Sequence, residues 1–150
     1  MAAFQKFTVP MSEGHAEYSV DQLAVVSWQR NAREQGADDV ILKLDEMVRG
    51  WFVGGFKLTA FHTDACEVGV KSYKAGDAED RHYHKVATEI TLIQSGRVLM
   101  NGIEYQAGDI IVTQALEDTD FQALDDSVTV VVKVPGAKDD KFLGQAGSLQ

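Results

Sequence analysis

Apolar and polar positions divide the chain into two parts with different periods. In the first forty residues the clearest signal is helical. Ser19 stands where an N-cap belongs, with Gln22 three residues on; in that arrangement each side chain can satisfy the other residue's free backbone N–H. Leu23, Val26 and Trp28 fall near one side of a helix that runs to Gln35, and Gly36 supplies the stop. Met1 to Gly14 is polar and mixed and predicts no element. His15 reads as a surface residue.

From Val40 onward the period shortens to that of strands. Val40 to Leu44 is an apolar run with one lysine, and Asp45 to Arg49 reads as a single helical turn. Phe56 to Phe61 and Cys66 to Tyr73 alternate as half-buried strands do. Further short strands are predicted at Glu89–Gln94, Arg97–Met100, Ile103–Tyr105, Ile110–Thr113, Phe121–Leu124 and Val128–Val134. Turn signals separate them: Gly76-Asp77, Ser95-Gly96, Asn101-Gly102, Gly108-Asp109 and Asp125-Asp126. Many short strands at regular spacing indicate a sandwich or barrel, and the lack of βαβ alternation disfavours a parallel sheet. One segment has an echo: Tyr73-Lys74-Ala75-Gly76-Asp77 returns as Tyr105-Gln106-Ala107-Gly108-Asp109, as if one corner were used twice. Met47, Trp51 and Phe52 are expected to close one barrel end. The segment after Pro135 reads as a tail anchored by Phe142 and Leu143. The expected layout is an all-β unit over 41–138, a helical extension over 1–40 and a tail over 139–150.

Charge narrows the function. A chain of 150 residues with net charge −9 repels phosphate backbones and anionic lipid, so neither nucleic acid nor membrane is an expected partner. No apolar run approaches the roughly 18 residues that cross a bilayer. The first ten residues have no continuous apolar stretch of the secretory kind, so the expected compartment is the cytoplasm. Cys66 is the single cysteine, which excludes an internal disulfide and a cysteine-based zinc site. It has no neighbouring base in sequence to make it a nucleophile.

Histidines are where chemistry is expected. His82 and His84 lie two apart, so on a strand both imidazoles face one side and Tyr83 the other. Glu89 follows five residues later and opens the apolar run Ile90–Ile93. Two imidazoles and a carboxylate with open positions is a known arrangement for Fe(II), and imidazole also suits Zn, Ni and Cu. A surface salt-bridge cluster is the alternative for these residue types.

The spacing Gly76-x5-His82-x-His84-x4-Glu89-x6-Gly96 resembles the first sequence motif of the cupin superfamily, over roughly Leu44 to Val134. The resemblance implies a small double-sheet jelly roll, a double-stranded β-helix, whose two histidines and glutamate point inward and bind a divalent metal such as Fe, Mn, Ni or Zn. The family's second motif is degraded. Gly108-Asp109 fits its start, but Gln114, Leu116 and Thr119 stand where a proline, a glycine and a fourth-ligand histidine are expected. Asp118, Asp120, Glu117, the weaker Gln114, His62 from an earlier strand, or water are the candidates for that fourth position. Lys71, Tyr73 and Asp118 are the candidate proton-transfer residues, although Lys71 reads as a solvated edge lysine and Arg81 as a rim charge. Tyr73 and Tyr83 either line the cavity or belong to the core. The resemblance implies a metal-dependent enzyme on a small molecule such as a sugar or organic acid. A non-catalytic binding barrel and an accessory structural barrel are the alternatives, and a homodimer is the expected assembly.

Overall fold

The computed structural model describes residues 7–11, 14–18 and 41–147. The helix expected over Ser19–Gln35 lies outside the described residues. Near the N-terminus, β1 (Phe7–Met11) and β2 (Gly14–Tyr18) pair antiparallel with Phe7 opposite Tyr18, where no element was predicted. Neither FTVPM nor GHAEY alternates, and Pro10 argues against a strand, so period offers no signal there.

Two 3-10 turns, Leu44–Glu46 and Val48–Gly50, occupy the predicted helical turn and lead into β3 (Trp51–Val53). The strands that follow are β4 (Glu67–Tyr73), β5 (Ala78–Tyr83), β6 (Thr88–Ser95), β7 (Arg97–Met100) and β8 (Ile103–Gln106). The last four are β9 (Ile110–Thr113), β10 (Asp118–Ala123), β11 (Ser127–Val134) and β12 (Phe142–Leu143). They form two five-stranded antiparallel sheets, in the orders β12-β5-β10-β7-β8 and β3-β4-β11-β6-β9. The chain changes sheet at almost every connection, so the two sheets are wound together. Among the described residues no helix is long and apolar enough to cross a membrane.

Phe56–Phe61 is not a strand. Gly54 at φ +138° turns the chain back, Phe56 stacks on Trp51 with ring centroids 5.7 Å apart, and the buried Thr59 hydroxyl donates to the Phe52 carbonyl at 2.7 Å. The alternation there reflects a loop with one covered side.

The repeated corner is real and occurs three times. The Lys74 and Gln106 N–H groups each donate to the aspartate three residues on, Asp77 and Asp109, at 2.8 Å. Gly76 and Gly108 hold the left-handed position at φ +92° and +98°. A third copy runs from Gln114 to Glu117, with the Gln114 N–H on the Glu117 carboxylate at 2.8 Å and Leu116 at φ +68° in the glycine's place.

Register fixes what faces inward. Across β4, β11 and β6 the rows are Glu67–Lys133–Glu89, then Gly69–Val131–Thr91, then Lys71–Thr129–Ile93. Along β11 and β6 the inner face therefore loses its charge, while β4 keeps Lys71 in the last row. At the apolar end Ile93, Val98, Met100, Phe121 and Ala123 form the core, with Tyr73, Tyr105 and Ile111 packed around it. Ile93 and Val98 are fully buried, each worth about 2 kcal/mol of hydrophobic stabilisation. The charged end of the same faces stays open as a cavity.

Candidate metal centre and cavity

His82 ends β5 beside Tyr83, and His84 follows directly; both imidazoles are buried. Glu89 lies on β6, opposite Lys133 on one side and Thr113 on the other. One ligand atom from each of His82, His84 and Glu89 lies within 4.8 Å of the other two. The rings stand nearly perpendicular, at 79°, with centroids 5.7 Å apart. His84 Nε2 is 3.1 Å from a Glu89 carboxylate oxygen.

Each histidine is oriented through its other nitrogen. His82 Nδ1 donates to the Asp80 carbonyl at 2.8 Å, and His84 Nδ1 to the Asp140 carbonyl. A proton fixed on Nδ1 leaves Nε2 as the free electron pair, the usual way a ligating imidazole is held. Burial pushes His82 below the ordinary histidine pKa, which favours the neutral ring. Burial would raise Glu89, but His84, with Lys133 and His82 beside it, outweighs burial and holds the carboxyl below its usual range. The donor set of two imidazole nitrogens and a carboxylate fits a divalent transition metal.

Asp140 was not foreseen as part of this arrangement. Its carboxylate is buried and accepts the N–H groups of Lys85 at 2.9 Å, Val86 at 3.1 Å and Ala87 at 2.9 Å. It thus ties down the link between His84 and Glu89 while its own carbonyl fixes the His84 ring. The supposed tail delivers it. In β12, Phe142 pairs with Tyr83 and Leu143 with His82, and the Phe142 ring stacks on Tyr83 with centroids 5.6 Å apart. An aspartate in a polar C-terminal segment carries no signal of this role in sequence.

The expected carboxylates for a fourth position are elsewhere. Thr119 is buried opposite His82, so by strand alternation Asp118 and Asp120 face away. Both pair with Arg81: Asp118 with one guanidinium nitrogen, and Asp120 with the other at 2.5 Å. Asp118 is accordingly neither a ligand nor a proton donor in this cavity. Gln114 accepts from Thr88 at 3.1 Å, Glu117 caps the third corner, and His62 does not line the cavity. Thr119 lines the cavity opposite His82, and its hydroxyl donates to the Asp120 carbonyl at 3.1 Å.

The cavity has a volume of about 880 Å³. Tyr73 and Lys71 both line it, and Lys71 points inward rather than into solvent. On β4 and β11 it is Glu67, Lys71, Tyr73 and Lys133 that face the cavity, while Val68, Val70, Val130 and Val132 take the alternate positions. The Tyr73 hydroxyl donates to Glu79 Oε1 at 2.6 Å, and Lys141 Nζ reaches Glu79 Oε2 at 2.5 Å. Burial and the bond to Glu79 hold the Tyr73 phenol far above its usual range, so it keeps its proton. Burial opposes ionisation of Glu79, yet the Lys141 and Tyr73 hydrogen bonds win and bring it to about 2. For Lys71, burial lowers the pKa, Glu79 partly restores it, and Lys133, Lys141 and Arg49 lower it further.

Neither a protein-family model nor a curated protein matches this sequence significantly. Solved structures do match. One is a conserved protein with a double-stranded β-helix domain from Klebsiella pneumoniae, 20% identical, covering 73% of this chain and 95% of that one with a TM-score of 0.56. The fold is a cupin double-stranded β-helix. A second similar structure is the DMSP lyase DddQ from Ruegeria pomeroyi, 22% identical, covering 76% of this chain and 59% of that one with a TM-score of 0.55. In this fold His82, His84 and Glu89 converge as the first motif implies, and Thr119, where the second motif's histidine is expected, lies opposite His82.

Proposed function

We propose that this cupin holds one divalent transition metal on His82 Nε2, His84 Nε2 and Glu89, and acts as an enzyme on a small molecule, a sugar or organic acid, within the cavity. The observation that carries this is the pair of Nδ1 bonds to the Asp80 and Asp140 carbonyls, which direct both free Nε2 pairs toward one carboxylate. A surface ion-pair cluster has no need of buried, individually oriented rings. When bound, such an ion polarises a substrate oxygen. The protein supplies the rest. The protonated Tyr73 is held against ionised Glu79, and the Lys141 charge keeps that pair in place. Its phenol oxygen can still accept a hydrogen bond from a substrate hydroxyl, so in this reading Tyr73 orients the substrate rather than acting as a base. One of the similar structures is a lyase, so this fold hosts catalysis in that protein.

The test is turnover. Protein stripped with chelator and reloaded with Fe(II), Mn, Ni or Zn is incubated with a panel of sugars and hydroxy acids and followed by NMR. The expected result is metal-dependent conversion of a panel member, absent from the His82→Ala/His84→Ala variant and slowed in Tyr73→Phe. Loaded protein that binds panel members without converting them contradicts the enzymatic reading and supports a binding barrel.

A further inference from the structure

Among the described residues, one half-buried positive charge in the cavity has no carboxylate partner; the other unpaired cations that line it, Arg49, Lys57 and Lys138, are exposed. Of the cations lining it, Lys141 is paired with Glu79 at 2.5 Å and Lys133 with Glu67 at 3.8 Å. Lys71 makes no ion pair or hydrogen bond among the described residues, although it is only partly exposed. Charged groups withdrawn from water are normally paired, and the Trp51 ring beside Lys71 compensates its lost hydration without neutralising its charge.

The surroundings of Lys71 are built rather than incidental. Its Nζ lies 4.8 Å from the Trp51 ring centroid, and Lys133 Nζ lies 5.1 Å from the same ring. Two ammonium groups thus share one indole. Trp51 is seated on Gly69, where a Cβ would lie 2.8 Å from the indole Cε3, so the close approach needs a glycine. Phe56 stacks beside it and completes an aromatic floor. Lys71, Lys133, Lys141 and Arg49 come from β4, β11, the strap before β12 and the turn before β3. Four separate elements thus bring cations to a cavity that Glu67, Glu79, Asp80, Glu89, Asp139 and Asp140 also line. Burial is the main cause of the lowered pKa of Lys71; Glu79 opposes it, and Lys133, Lys141 and Arg49 add to it.

We propose that the cavity takes an anion, a small carboxylate, whose negative group docks on the Lys71 ammonium beside Lys133 and above the Trp51 indole. The inference rests on the reading that the cavity receives a small molecule, and narrows that molecule to an organic acid rather than a neutral sugar. A carboxylate fits better than a phosphate, since its two oxygens match the two ammonium groups, Lys71 and Lys133, while Glu67 and Glu79 in the same cavity repel further anionic oxygens.

Calorimetric titration of the full-length protein with malonate tests this. Inorganic phosphate and neutral malonamide serve as comparison ligands. Malonate is expected to bind chelator-treated wild type and the His82→Ala/His84→Ala variant alike, and malonamide to bind neither. Lys71→Gln, checked by its melting temperature for intact folding, is expected to weaken malonate binding at least about tenfold, the loss of one charge-assisted contact, whereas Lys71→Arg retains it. Unchanged affinity in Lys71→Gln overturns the proposal. So does binding lost on chelation, which places the anion at the histidine cluster, and so does preference for phosphate. Metal content measured on the same samples reports separately on the metal centre, so either claim can fail alone.

Discussion

Leu116 holds a left-handed backbone at φ +68° in a corner whose two other copies use glycine. A Cβ in that region costs roughly 1 kcal/mol, and an exposed leucine recovers little by burial. Leu116→Gly is therefore expected to raise stability by about 0.5–1 kcal/mol in urea unfolding, a rare gain from a large-to-small change. Asp140 works in the opposite sense. Replacing it with alanine leaves the N–H groups of Lys85, Val86 and Ala87 without their acceptor, and is expected to cost about 3 kcal/mol by the same assay. Asparagine, which keeps one acceptor oxygen, should cost less. At this scale the sequence was legible where residue spacing encodes chemistry, as with His82, His84 and Glu89. It was silent on Asp140, which acts from 56 residues beyond His84 through its carbonyl. Lys71 was misplaced for a general reason: the rule that lysine faces water assumes that the other side of the strand is dry.

Among the elements, most of the strands from Cys66 to Val134 were readable, because turn residues punctuate them. β5 was harder, since AEDRHY offers no apolar alternation; its inner face lines a wet cavity rather than a core. β12 is only two residues long, yet its backbone pairs with the His82 strand, and the Lys85 ammonium lies 4.0 Å from the Phe142 ring centroid. β12 and the strand that carries His82 are thus one structural unit. Ending the chain at Gly136 is expected to lower the melting temperature and abolish metal uptake, whereas ending it at Gly144 should leave both close to wild type. Unaltered metal uptake in the shorter form would show that the histidines do not depend on the strap.

For the molecule as a whole, acid stability follows from the polar wall of the cavity. Glu79 has a folded pKa of about 2, below its ordinary value, so its contribution is complete above about pH 4.5 and disappears as pH falls toward 2. Asp140 is also held low, by the backbone N–H groups of Ala87, Lys85 and Val86 against the effect of burial, and has the same sign. Glu67 runs the other way, its pKa raised by burial, so it loses stability as pH rises through that region and partly masks the effect. Thermal melts of metal-free protein between pH 7 and 3 should show a falling melting temperature below about pH 4.5. Mutating Glu79 to Gln should flatten the fall.

Metal content bears most directly on the central claim, because the fold is compatible with a barrel that holds none. The decisive measurement is elemental analysis of purified protein, reconstituted with Fe(II), Mn, Ni and Zn in turn, beside the His82→Ala/His84→Ala variant. The account predicts about one ion per chain in the wild type and none in the variant. Absence of metal from the wild type after every reconstitution would contradict it.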